Sequence, residues 1–153
     1  MRKLIYTFCL IALTSSEAVA NDSLRVMPTL ENLFEKMLEA DTNGFRQLFV
    51  QQPFISSVPP SRNSTKVKYH GLDEWVASID RHLPGELREE WSAPKVVSDD
   101  ALAHVWMPYV FYYKGNFSHC GYNSFQLMKL DGAWKISSVV DTRKSSCKMS
   151  DRE

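Results

Sequence analysis

His119 is the side chain of this 153-residue chain with most to offer chemically. An imidazole near the mouth of a pocket takes up or gives a proton close to neutral pH, or hydrogen-bonds a ligand. The competing role is a structural imidazole bonded to a neighbouring strand or helix cap, and for a lone histidine that is the commoner one. His70 and His104, together with Tyr109 and Tyr112, are further parts from which a proton-transfer site could be built, although no spacing forces them to converge. Asp141 and Arg143 stand two apart and share one strand face, which suits a surface pair or a tie for the C-terminal tail. A catalytic carboxylate needs desolvation or a like-charged neighbour, and the sequence offers Asp141 neither. No two histidines lie two or four residues apart, so no metal-ligand spacing is present. A Gly-rich phosphate loop, a nucleophile elbow and a Cys-x-x-Cys redox motif are likewise missing.

The aromatic side chains Trp75, Trp106, Tyr109, Phe111 and Trp134 read mainly as core, with some of them left to line whatever cavity the fold encloses. The elements that would position them begin with an amphipathic helix. Leu30, Leu33, Phe34, Met37 and Leu38 make one apolar stripe, after a short leader from Asn21 to Val26. Asp41-Thr42-Asn43-Gly44 breaks that helix and caps a second one, which carries Phe45, Leu48 and Phe49 and stops at Pro53. Phe54 to Val58 and Lys66 to Tyr69 read as short strands. Leu72, Trp75, Val76, Ile79 and Leu83 then repeat the helical stripe up to Pro84-Gly85.

Beyond Gly85 the period changes from helix to strand. Strands are expected over 86–97, 101–113, 118–130 and 133–142, with Pro108 marking a bulge or an edge. Asp131-Gly132 is a strong two-residue hairpin signal. A plain hairpin there pairs Leu130 with Ala133 and Leu127 with Ile136. One face then carries His119, Asn123, Phe125 and Leu127 beside Trp134, Ile136, Ser138, Val140 and Thr142, and this more apolar face turns towards the helices. The opposite face carries Cys120, Tyr122, Gln126 and Met128 beside Asp141 and Arg143, and it is a candidate dimer interface. A bulge would exchange the faces. Helices laid against an antiparallel sheet make an α+β domain.

Residues 1–20 read as an export signal rather than as part of the fold. Arg2 and Lys3 precede ten apolar residues, and Ala18-Val19-Ala20 supplies a small-x-small cleavage pattern. The apolar run is too short to span a bilayer. A periplasmic or secreted chain beginning at Asn21 is expected, with no stable membrane anchor. Eighteen basic and eighteen acidic residues, evenly scattered, provide no footprint for nucleic acid. Cleavage would remove Cys9 and leave Cys120 and Cys147, a natural disulfide pair in an oxidising compartment. The bridge would close a loop of about 28 residues, worth roughly 3–4 kcal/mol. A straight strand would carry Cys147 too far from Cys120, so 144–146 must curl back for the bond to form.

Several runs then become familiar. Ala103-His104-Val105-Trp106-Met107-Pro108-Tyr109, Phe111-Tyr112-Tyr113-Lys114-Gly115, Ser118-His119-Cys120-Gly121 and Gly132-Ala133-Trp134-Lys135-Ile136 resemble bacterial proteins of the nuclear transport factor 2-like superfamily. The resemblance is to its SnoaL-like and candidate lumazine-binding members. It implies one domain over 21–153: a cone-shaped, curved antiparallel sheet wrapped around three N-terminal helices, with a pocket at the open end and commonly a homodimer. Fold of this kind does not fix function. Isomerases of the superfamily place a base aspartate on the first strand after the helical hairpin, where this chain has Phe54-Ile55-Ser56-Ser57-Val58. Dehydratase-like members use histidines with tyrosine.

The expectation is an exported domain without catalysis, needing no cofactor. It would hold a small hydrophobic or aromatic ligand among Trp75, Trp106, Tyr109 and Trp134, with His119 and Asn123 as polar contacts. The alternatives are a cofactor-free lyase or isomerase using His119 as base, and a protein-interaction module acting through the sheet face.

Overall fold

The computed structural model describes residues 14–59 and 67–147, with side chains from Leu24 onward. The element order is α1 (Thr14–Leu38), α2 (Thr42–Gln47), β1 (Phe49–Val58), β2 (Lys68–His70), α3 (Leu72–Ile79), β3 (Leu87–Trp91), β4 (Lys95–Ser98), β5 (Leu102–Tyr113), β6 (Asn116–Leu130) and β7 (Ala133–Thr142). The first thirteen residues of the expected export signal lie outside the described residues. The rest of that segment is helical, because α1 reaches back to Thr14. Asn21 to Val26 is therefore helix and not a leader. Buried Val26 and Met27 extend the apolar stripe through Leu30, Leu33, Phe34 and Met37, and Pro28 is carried inside the helix. Each such apolar side chain taken from water stabilises the fold by roughly 1.5–3 kcal/mol.

The strands form one curved sheet in the order β2-β1-β7-β6-β5-β3, with β4 continuing alongside β5 after β3 ends. The sheet is mixed, not wholly antiparallel, because β1 lies parallel to β7. The second expected helix is also shorter than its apolar spacing suggested. Asp41 caps α2 by accepting from the Gly44 amide at 2.9 Å, but the helix ends at Gln47. Phe49 already pairs with Ile136, and the Ile136 amide donates to Leu48 O at 2.8 Å. An open hydrogen-bonding edge on β7 thus overrides a weak helical preference. Pro53 falls where β1 is out of step with β7, which is where a residue lacking an N–H is tolerated.

The expected single strand over 86–97 is two. The break between β3 and β4 faces Pro108 of β5, whose carbonyl accepts from Ser92 N at 3.3 Å. Asp131 and Gly132 make the β6–β7 turn with φ of 50° and 82°, as a two-residue hairpin of mirror-image type requires. Pairing follows the expected register from Leu130↔Ala133 to Leu127↔Ile136. Then Gln126 pairs with Ser138, leaving Ser137 as a bulge. Beyond it Phe125 faces Val139 and Asn123 faces Asp141, so Val139 and Asp141 turn inward where Val140 and Thr142 were expected.

α1 packs on β3, β4 and β7, and α3 packs on α2 and β1. Phe34 joins helix to sheet, its ring 6.1 Å from that of Phe125 and 6.2 Å from that of Trp91. Cys120 and Cys147 are disulfide-bonded with α-carbons 6.1 Å apart. The tail does curl back: Lys144 pairs with Cys120, and Ser145 and Ser146 bend.

Candidate functional site

The concave face of the sheet, roofed by α1 and α3, encloses a cavity of about 550 Å3. Its walls combine apolar and polar side chains in similar measure. Leu33, Phe34 and Met37 come from α1, Trp75 and Ile79 from α3, and Phe111, Phe125 and Val139 from the sheet. A belt of polar side chains crosses this face strand by strand: Glu89 on β3, Tyr109 on β5, His119 and Asn123 on β6, Asp141 on β7 and Ser57 on β1. Strand alternation places each of them, since inward positions recur every second residue.

Asp141 is the hub. Parallel pairing sets it beside Ser57, and antiparallel pairing sets it beside Asn123. Its Oδ1 accepts from the Ser57 hydroxyl at 2.5 Å. Its Oδ2 accepts from Tyr109 Oη at 3.1 Å and from Arg143 Nε at 2.7 Å. Because the Ser57 hydroxyl is committed to Asp141, the contact with His70 Nε2 at 3.2 Å requires the imidazole to donate. That fixes His70 as the Nε2–H tautomer when neutral. Burial, with Lys68 and Arg143 nearby, lowers its pKa. A carboxylate with three donors is an organiser: it holds Tyr109, Ser57 and Arg143 in place.

Glu89 and His119 stand apart from that hub. The Asn123 amide donates to Glu89 Oε1 at 2.6 Å. Burial first, then the Asp141 charge, pushes the Glu89 carboxyl up to about 8, against the Asn123 hydrogen bond and Arg143. Glu89 therefore keeps its proton at neutral pH. His119 moves the other way. Burial, then Arg143, lowers its pKa to about 4 against the pull of Asp141. Its ring stacks on Phe111 at 5.0 Å and meets Tyr109 edge-on at 5.7 Å, and its Nδ1 is 3.0 Å from the Ser118 hydroxyl. Burial and Asp141 raise the Tyr109 hydroxyl well above its usual range, so it remains a donor.

Of the side chains singled out in the sequence, His70, Trp75, Tyr109, Phe111, His119 and Asn123 line the cavity. Trp106 does not. It is 39% exposed on the convex face and stacks on Tyr122 with ring centroids 5.2 Å apart. His104 shares that face, 3.1 Å from the Ser124 hydroxyl. Trp134 is buried in the core and does not line the cavity. Asp141 and Arg143 do pair, but on the inner face, because the bulge at Ser137 reverses the end of β7. Glu89 and Ser57 were missed. Glu89 was legible, since it lies midway between Leu87 and Trp91 in an alternating strand; Ser57 is uncharged and carries no such signal. Among the described residues no cluster of three metal-ligating side chains occurs.

No protein-family model matches the chain, and no curated protein matches it by sequence. Solved structures do. A protein of unknown function with a cystatin-like fold from Nostoc punctiforme PCC 73102 aligns with a TM-score of 0.65 at 12% identity, over 85% of this chain and 96% of its own. An NTF2-like protein with a cystatin-like fold from Novosphingobium aromaticivorans aligns at 0.65 and 13% identity, over 90% and 91%. A candidate dehydratase of the NTF2-like family from Streptomyces avermitilis aligns at 0.60 and 14% identity, over 83% and 99%. At such identities the likeness is one of architecture. The chain has the nuclear transport factor 2-like, cystatin-like fold.

Proposed function

We propose that the chain is an exported binding protein for a small, mostly apolar molecule, seated in the cone with its polar end against His119, Asn123 and Glu89. The observation that carries this reading is the cavity itself: apolar and aromatic walls over a floor of ordered polar groups, the usual make-up of a small-molecule site. Export is supported by the Arg2-Lys3 start and the Ala18-Val19-Ala20 pattern. The disulfide suits an oxidising compartment. Among the described side chains, which begin at Leu24, the α1 core residues run from Val26 on, past Ala20. Among the described residues no helix is long and apolar enough to cross a membrane. Exposed Leu102, Trp106 and Met128 on the convex face supply an apolar surface for a second copy.

Native mass spectrometry of protein purified from the exported fraction tests these points together. The expected species is a dimer of chains starting at Asn21, each carrying extra mass that organic extraction releases as a small molecule. Chains starting at Met1, or an empty cavity after gentle purification, would overturn the corresponding part.

One observation favours a cofactor-free lyase or isomerase as the second reading. Glu89 keeps a proton it can give, while His119 keeps a lone pair that can take one, in the same cavity. Two groups shifted in opposite directions make an acid and a base. Under this reading a His119→Ala variant retains its ligand and loses turnover.

A further inference from the structure

The ligand's polar end can be assigned a chemistry. We propose that it is a carboxylate, received by the free face of the Arg143 guanidinium, with Glu89 as a second donor to it. The inference rests on the binding reading above and names its ligand class.

Arg143 hydrogen-bonds through Nε alone, to Asp141, among the described residues. Its terminal amino groups keep their N–H donors, and it lines the cavity with 44% of its side-chain surface open. A guanidinium presents these donors as a planar fork that matches the two oxygens of a carboxylate. The fork is held before any ligand arrives. Asp141 fixes Nε and is itself fixed by Ser57 and Tyr109. The Arg143 backbone amide donates to Val58 O at 2.9 Å, and the next residue pairs with Cys120 through both its amide and its carbonyl. Preorganised donors of this kind cost little to order on binding.

Glu89 adds to the same side. Asn123 occupies its Oε1, and no group among the described residues takes a hydrogen from the other oxygen. Burial keeps that oxygen protonated at neutral pH, so it offers a donor that only an occupant of the cavity can satisfy. The charge balance agrees. The cavity is lined by Lys68, Arg81 and Arg143 against Glu74, Asp141 and a neutral Glu89. Three cations face two carboxylates, and the one unmatched positive charge is the complement of a monoanion. Asp141 draws off part of the Arg143 field, so the expected preference is moderate.

Naphthoate and its uncharged counterpart naphthylmethanol are suitable probes, with binding followed by quenching of Trp75 and by calorimetry. At about pH 7 naphthoate should bind about tenfold or more tightly than the alcohol, the factor a single charge-assisted contact yields. As pH rises through about 8 Glu89 ionises and the preference should shrink. Arg143→Gln should bring the two probes to equal affinity within that one variant, and Arg143→Lys should restore part of the preference. Glu89→Gln should keep the preference and remove its pH dependence. Equal affinity for the two probes, or a preference that survives Arg143→Gln in a folded variant, overturns the carboxylate assignment and leaves the binding reading standing. If neither probe binds, both fall.

Discussion

Glu89 holds its proton because the fold gives its charge nowhere to go. One oxygen is occupied by the Asn123 amide, the Asp141 charge is close by, and partial burial in the cavity wall weakens its hydration. The cost appears as a pH dependence of stability. The folded-state pKa of about 8 lies above the ordinary value of 4.5, so between those two values the folded chain binds a proton that the unfolded chain has released. Stability is fully present below about 4.5, falls as pH rises towards 8, and levels off above it, the whole change being of the order of a few kcal/mol. Glu89→Gln keeps an oxygen for Asn123 and has no proton to lose. We expect this variant to match the parent near pH 4.5 and to exceed it in urea-denaturation free energy at about pH 8. A variant less stable than the parent at pH 8 would refute the assignment. Alternation between Leu87 and Trp91 was a signal that could have turned Glu89 inward, although that residue was missed. Its chemical character was not legible, because that depends on Asn123 and Asp141 arriving from two other strands.

At the scale of elements, the end of β7 and the tail behind it decide what the cavity contains. The Asp131-Gly132 turn and the first four pairs of the terminal hairpin were legible in the sequence. The Ser137 bulge was not, since nothing in Ile136-Ser137-Ser138-Val139 marks which residue drops out of the ladder. That one unpaired residue moves Asp141 and Arg143 from the outer face to the inner one. The parallel place of β1 was equally hidden: Phe45, Leu48 and Phe49 fit a helical spacing, and only the free edge of β7 selects strand from Phe49 onward. Gly121 lets the end of β7 come close, since a β-carbon there would meet Thr142 O at 1.8 Å. The disulfide then ties the tail to β6 across a separation of 27 residues. Replacing Cys120 and Cys147 together by serine should lower the unfolding free energy by about 3 kcal/mol through the restored entropy of the unfolded chain. The urea midpoint of the double variant against the oxidised parent reads this directly, and an unchanged midpoint would count against the bond.

For the whole molecule, Glu89 and His119 set opposing pH limits on one folded state. The folded His119 pKa of about 4 lies below its ordinary 6.5, so as pH falls from 6.5 towards 4 the unfolded chain takes up a proton that the folded chain refuses. His119 thus contributes stability that is present above about 6.5 and lost on acidification. Glu89 contributes stability that is present below about 4.5 and lost as pH rises to about 8. In the overlap between about 4.5 and 6.5 the two slopes have opposite signs and equal size per titrating proton, so they cancel. The lowered pKa of His70 adds a loss of stability on acidification below about 6.5, within that overlap, and tilts it. The melting temperature should therefore fall only gently towards acid across the overlap and decline as pH rises to about 8. Each limb should respond to its own residue: Glu89→Gln flattens the alkaline decline, and His119→Gln softens the acid one. A melting temperature that rises steadily from acid to about pH 8 would show Glu89 ionised in the folded chain, and the cavity floor would then hold an uncompensated second carboxylate instead of a donor.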